Sequence, residues 1–172
     1  MNPIHHPTIG IRGLALPLAT LGLCAWHALP SLAAAWGNDL YSRGAVAAFV
    51  IWLASHYVIS RHSALRTNSN HAWIIVSLLL CIAGSMCELR ALQHLALAAA
   101  VPGVFGLGFT GIPLLAAAAT WMPASGWFIS HMKAGGLIGW ERPAAAAISA
   151  LAYAFLIRRF RASQVHQSLN KP

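Results

Sequence analysis

The sequence predicts an all-α fold: a polytopic transmembrane helical bundle of about six short helices. Three observations carry that expectation. Hydrophobic residues make up 58% of the 172 and charged residues only 8%, whereas a soluble domain carries about 25% charge. Apolar runs recur along the whole chain, separated by short polar connections. The bases are spread unevenly over alternate connections, the pattern that orients membrane proteins. Three acids and eleven bases cannot cover a water-soluble surface, and so apolar a chain is not of the disordered class. The formal charge of +8 sits between apolar runs rather than in a basic patch, so no nucleic-acid partner is expected. The partner expected is the lipid bilayer.

The first apolar run, Gly13 to Trp36, holds 24 residues without a charge, enough for the roughly 20 that span a bilayer. Pro17 and Pro30 interrupt it, which a membrane helix tolerates when neighbours satisfy the freed carbonyls. A secretory signal cleaved near Ser31-Leu32-Ala33-Ala34-Ala35 is the rival reading. The length of the run and the apolar remainder of the chain favour a first span. Leu23 before Cys24 disfavours a lipoprotein signal. The second run is Gly44 to Ser60, the third Ala72 to Cys87 and the fourth Ala91 to Gly106. The fifth, 111–122, is short enough to be re-entrant. The sixth, Pro143 to Ile157, opens with proline at a favourable first helical position. The chain thus reads as one integral membrane domain, 1–172, with a tail at 1–12, helices over 13–157 and a basic cytoplasmic tail at 158–172.

The connections carry the charge. Trp36-Gly37-Asn38-Asp39-Leu40-Tyr41-Ser42-Arg43-Gly44 joins turn residues to interfacial aromatics. Glu88-Leu89-Arg90 is so short that the third and fourth runs are expected to fold back on each other. With six spans and the N-terminus inside, the cytoplasmic side collects Arg12, Arg61, Arg66, Arg158, Arg159, Arg161 and Lys171. The outer side collects Arg43, Arg90, Lys133 and Arg142. The asymmetry places both termini in the cytoplasm.

Candidate chemistry is sparse. A catalytic thiol needs a base or cation to hold it as thiolate, and Cys87 has Arg90 and His94 within a few residues. The adjacent Glu88 opposes the thiolate, so Cys87 is expected to be dispensable. Cys24 and Cys81 lack adjacent charge, and no Cys-x-x-Cys occurs. Histidines at His27, His56, His94 and His131 fall in or beside apolar runs, where ionisable residues are functional suspects. His27 and His56 lie at similar depths on consecutive runs and could ligate a haem. Against that stands a neutral histidine bonded to a carbonyl, so no cofactor is expected. No metal-binding spacing occurs either. Asp39, Glu88 and Glu141 each have an arginine close by, and these pairs read as interfacial markers of helix ends. Gly135-x-x-x-Gly139 is a small-residue spacing that could pack helices.

Read in order, these pieces resemble the exosortase/archaeosortase family of polytopic membrane transpeptidases, which process proteins bearing C-terminal sorting signals. The resemblance runs from about Leu14 to Ser130. It is carried by Trp36-Gly37-Asn38-Asp39-Leu40-Tyr41-Ser42-Arg43-Gly44, Ile51-Trp52-Leu53, Arg61-His62, the Leu89 to Leu97 stretch and Ile112-Pro113-Leu114-Leu115 to Trp121-Met122-Pro123. Arg43 stands where that family's Tyr-Ser-His-Gly element has histidine. The Cys-Ser-Gly setting of its catalytic cysteine and the later arginine and histidine motifs are missing. The resemblance therefore implies the non-catalytic amino half: an accessory or subunit in envelope protein sorting at the bacterial inner membrane. Its implied partners are other membrane proteins or a sorting-signal substrate. The enzyme alternative is a cysteine transpeptidase using Cys87, Arg90 and His94. The third is a haem-binding electron carrier using His27 and His56.

Overall fold

The computed structural model describes residues 11–38, 44–61, 70–125 and 140–169, and within them every regular element is helical. The all-α expectation holds. Six α-helices follow in order: α1 (Ile11–Asn38), α2 (Ala45–Ser60), α3 (Asn70–Met86), α4 (Arg90–Phe105), α5 (Ile112–Ala117) and α6 (Glu141–Leu169). Asp39, Arg43, Arg66, His131, Lys133, Gly135, Gly139 and Lys171 lie outside the described residues.

α1 runs unbroken through Pro17 and Pro30, although proline removes one backbone hydrogen bond at each site. Its buried positions Pro17, Thr20, Cys24, Ala28 and Leu32 recur every three or four residues. That stripe rests on α3 and α4. α4 is the central helix. Every residue from Ala96 to Gly103 is buried, as expected of a helix that is apolar all round. Four of these are alanines (Ala96, Ala98, Ala99, Ala100), whose small side chains let neighbouring backbones approach closely.

α3 and α4 form an antiparallel hairpin, as the charged turn requires. A Cβ on Gly84 would lie 2.9 Å from the Gln93 backbone nitrogen, and one on Gly103 would lie 3.2 Å from Cβ of Trp73. These close approaches pair opposite ends of the two helices. α3 stops in a Schellman motif: Leu89 N–H donates to the Gly84 carbonyl at 2.9 Å, with Glu88 left-handed at φ 54°. Glu88 and Arg90 are both exposed.

Contacts between elements set the direction of every pass. Define one end of the bundle by Trp36 and the other by Trp73. α1 finishes at the Trp36 end, where the Trp36 ring meets Phe49 near the start of α2. α2 descends to Ile59, which packs with Leu107 and Tyr153. α3 rises from Trp73, and α4 descends to Gly103 and Gly111, whose added Cβ would touch Pro102 and Trp73. The next stretch climbs from Thr110, bonded to Tyr153, to Trp121, which meets Trp36. α6 descends from Arg142 to Tyr153 beside it. Among the described residues the six runs alternate in direction, so the start of α1 and the Tyr153 part of α6 both lie toward the Trp73 side.

Two elements differ from the sequence expectation. The fifth pass is no single helix: α5 has six residues, flanked by 3-10 turns at Gly108–Gly111, Ala118–Thr120 and Pro123–Ser125. Its ends match Tyr153 and Arg142 on α6, eleven residues apart, or about 16 Å of helical rise. Gly106, Gly108, Gly111, Pro113 and Pro123 punctuate it and explain the interruption. α6, in contrast, continues past Ile157 to Leu169. Arg158 to Leu169 is helical and contains neither glycine nor proline to interrupt it.

Candidate functional site

Five polar side chains of this apolar chain are buried, and their contacts define the candidate sites. Thr20, His56, Ser77, His94 and Arg142 are each at most 4% exposed. Large apolar side chains turn outward instead, among them Leu16, Trp26, Val50, Ile75, Leu79, Ile148, Leu151 and Phe155.

The first site joins α2, the fifth pass and α6. Spacing of three and four residues puts Ala45, Ala48, Trp52, His56 and Ile59 on one buried stripe of α2. Trp52 Nε1 donates to the Leu114 carbonyl at 2.6 Å. One turn on, His56 Nδ1 lies 2.9 Å from the Trp52 carbonyl. A carbonyl only accepts, so Nδ1 carries the proton and the neutral ring leaves Nε2 as an acceptor. That Nε2 is buried with no hydrogen-bond partner among the described residues. The Trp52 ring touches His56 at 4.4 Å, Trp121 at 5.3 Å and Phe49 at 5.9 Å between centroids. Trp121 is fully buried, and its Nε1 also lacks a partner among the described residues.

Arg142 closes the top of this cluster. It stands at the second position of α6, 1% exposed, and Nη1 donates to the carbonyls of Thr120 at 3.0 Å and Met122 at 3.1 Å. The Met122 carbonyl also accepts from the Ser125 amide at 3.2 Å and the Ser125 hydroxyl at 2.7 Å. Nη1 also lies 3.5 Å from Ser125 Oγ. The sequence placed Arg142 at an interface as a marker of a helix end. The structure buries it as the cap of the fifth pass.

The second site joins α1 to α4. Ser31 Oγ lies 2.8 Å from His94 Nε2, and the same hydroxyl donates to the Ala28 carbonyl at 3.0 Å. A hydroxyl has one proton. With that proton on Ala28, His94 Nε2–H is the donor to Ser31, and the pair is an interhelical clasp rather than a nucleophile facing a base. In this state His94 Nδ1 presents only a lone pair, buried without a partner among the described residues.

These geometries sort the residues singled out by the sequence. Cys87 and Arg90 are exposed at the hairpin turn, while His94 is buried with its hydrogen bond to Ser31. The three do not form a hydrogen-bonded catalytic group. His27 is exposed and His56 is fully buried against Trp52 and Phe105. The structure does not bring this pair of histidines together around a shared space. Among the described residues no group of three His, Cys, Asp or Glu side chains could hold a metal ion. Ser31 was missed because one serine in an apolar run carries no local signal. Its partner is 63 residues away.

Comparison with protein-family models, curated proteins and solved structures finds no match to this chain. α1 contains the stretch Leu14–Gly37, long and apolar enough to cross a membrane, and α2 and α3 are shorter apolar helices.

Proposed function

We propose that this chain is a small multi-pass protein of the bacterial inner membrane, an exosortase-like accessory without peptidase chemistry of its own. The inverted distribution of side chains carries the membrane part of this reading. Large apolar residues between 38% and 81% exposed line the outside of α1, α2, α3 and α6, while Thr20, His56, Ser77, His94 and Arg142 are buried. In water so much exposed apolar surface drives association. In hydrocarbon it is the favourable arrangement, with polar residues as interhelical contacts. The alternating direction of the described helices supports a reading with both ends on one side, and the charge asymmetry supports the cytoplasm as that side. The fifth stretch spans only about half of the roughly 30 Å core, and its buried positions Gly111, Leu114, Ala118 and Trp121 face its neighbours, where irregular backbone is tolerated.

The accessory role rests on the sequence resemblance and on the departures from its catalytic pattern. The membrane part is tested by alkaline carbonate extraction of cell membranes, which should leave the chain in the pellet. Recovery in the supernatant would refute it. The accessory role is tested in a host that processes sorting-signal proteins. Deleting the chain should leave unprocessed precursor, and Cys87→Ala should restore processing fully. Failure of Cys87→Ala at normal membrane levels would point to the thiol enzyme instead.

A further inference from the structure

Trp26 and His27 are both exposed on α1, Trp26 at 80%. They lie in the middle of the apolar stretch Leu14–Gly37. At 1.5 Å per residue, His27 is about 20 Å from Leu14 and about 15 Å from Gly37. The membrane reading proposed above, on which this inference rests, sets both rings near the centre of a core roughly 30 Å thick. Neither residue type belongs there facing lipid. Tryptophan collects at headgroup level, and an intramembrane histidine turns to the bundle interior or to a polar partner. Among the described residues neither ring has a hydrogen-bond partner. Pro30 adds a backbone group to the same place. It has no amide to give the Trp26 carbonyl, four residues back, its helical hydrogen bond. This patch of α1 therefore holds two donors, the indole N–H and the imidazole N–H. It also holds two acceptors, the second imidazole nitrogen and the Trp26 carbonyl.

We propose that this face of α1 is the interface between two copies of the chain, packed as a parallel α1–α1 pair. Every copy of a membrane protein crosses the bilayer in the same sense. A two-fold axis along the membrane normal then brings each residue to its own equivalent at equal depth. The donors and acceptors match across that axis: the indole N–H of one copy meets the imidazole lone pair of the other, and the imidazole N–H meets the freed carbonyl. An apolar helix at this depth leaves all four groups unsatisfied, so a second copy suits the patch and lipid or an apolar partner does not. Interhelical hydrogen bonds and close packing drive association in lipid, where apolar contact with a partner replaces equally apolar contact with acyl chains. The neighbouring positions allow the approach. Ala19, Trp26 and Ala33 recur every seven residues and all are exposed, the repeat of a helix–helix seam. The two alanines leave room above and below the indole.

The test uses the full-length chain in native membranes, in a Cys87→Ser background, with two differently tagged copies expressed together. Copper phenanthroline should join copies through Ala19→Cys or Ala33→Cys and give a dimer that carries both tags. Leu18→Cys, exposed on another side of α1, should not cross-link. Energy transfer between labelled copies in lipid vesicles then reads the dissociation constant. His27→Leu should raise it about tenfold, the scale of one or two interhelical hydrogen bonds. Leucine suits a lipid-facing position, so the variant retains its fold. His27→Asn keeps a donor and an acceptor and should restore most of the affinity. Absence of cross-linking at both seam positions overturns the proposal, as does equal cross-linking through Leu18→Cys. So does a cross-linked product that never carries both tags, which would show another protein on this face, or a dissociation constant unchanged by His27→Leu. Carbonate extraction reads membrane residence separately, so failure of the interface and failure of the membrane reading are distinguishable.

Discussion

Glu88 and Gly106 occupy the same kind of position and differ in what they cost. Each follows a helix in the left-handed region, at φ 54° and φ 69°, and each is succeeded by a residue whose N–H reaches back to the helix, Leu89 to Gly84 and Leu107 to Pro102. A residue with a Cβ in this conformation costs roughly 1–2 kcal/mol, and glycine does not. Glu88→Gly should therefore stabilise the chain by about 1 kcal/mol, and Gly106→Ala should destabilise it by a similar amount. Denaturant titration in detergent measures both, and a loss of stability in Glu88→Gly or a gain in Gly106→Ala would contradict the shared geometry. Ser31 makes a second residue-scale expectation. Interhelical hydrogen bonds in membrane bundles average about 0.6 kcal/mol and reach about 1.7. Ser31→Ala also leaves the buried His94 Nε2 without the hydroxyl it bonds, so a loss of about 1–2 kcal/mol is expected in the same titration. No such loss would mean that the clasp is not formed in solution. Nothing in the sequence announces Ser31, because the contact is made by packing rather than by spacing.

Helix α3 and its partner α4 show how far local pattern reaches. The charged three-residue turn requires a hairpin, and the hairpin is present. Its register is not legible in the turn and is set by Gly84, where a Cβ would meet the Gln93 backbone at 2.9 Å. Gly22 on α1 is the natural control, since nothing lies within 4 Å of a Cβ placed there. Gly84→Ala should lower membrane abundance, because backbone cannot yield as a flexible side chain can. Gly22→Ala should leave it unchanged or raise stability by up to about 1 kcal/mol, as alanine does in helix interiors. Equal effects of the two would contradict the close approach. The fifth pass and α6 were harder to read. Apolar composition alone counts 111–122 as a span, while the structure has a six-residue helix between 3-10 turns, bonded by Trp52, Tyr153 and Arg142. Polarity after Ile157 suggests a tail, yet polarity does not end a helix when no glycine or proline intervenes.

At the scale of the whole molecule, composition made the all-α class legible, and the apolar runs mark where helices lie among the described residues. The direction of each pass follows from contacts between residues far apart, such as Trp36 with Trp121 and Ser31 with His94. The candidate sites were less legible, because residues such as Arg142 and Thr120 become neighbours only once the helices are packed. The proposed arrangement has both termini in the cytoplasm and the α3–α4 turn outside. Cys87 reports on it directly, since it is exposed at that turn while Cys24 and Cys81 are buried. Intact spheroplasts treated with a membrane-impermeant maleimide provide the most direct test. The account predicts labelling of the wild-type chain without lysis, and its loss in Cys87→Ala. Labelling that requires lysis would contradict it, placing the turn inside or the chain out of the membrane.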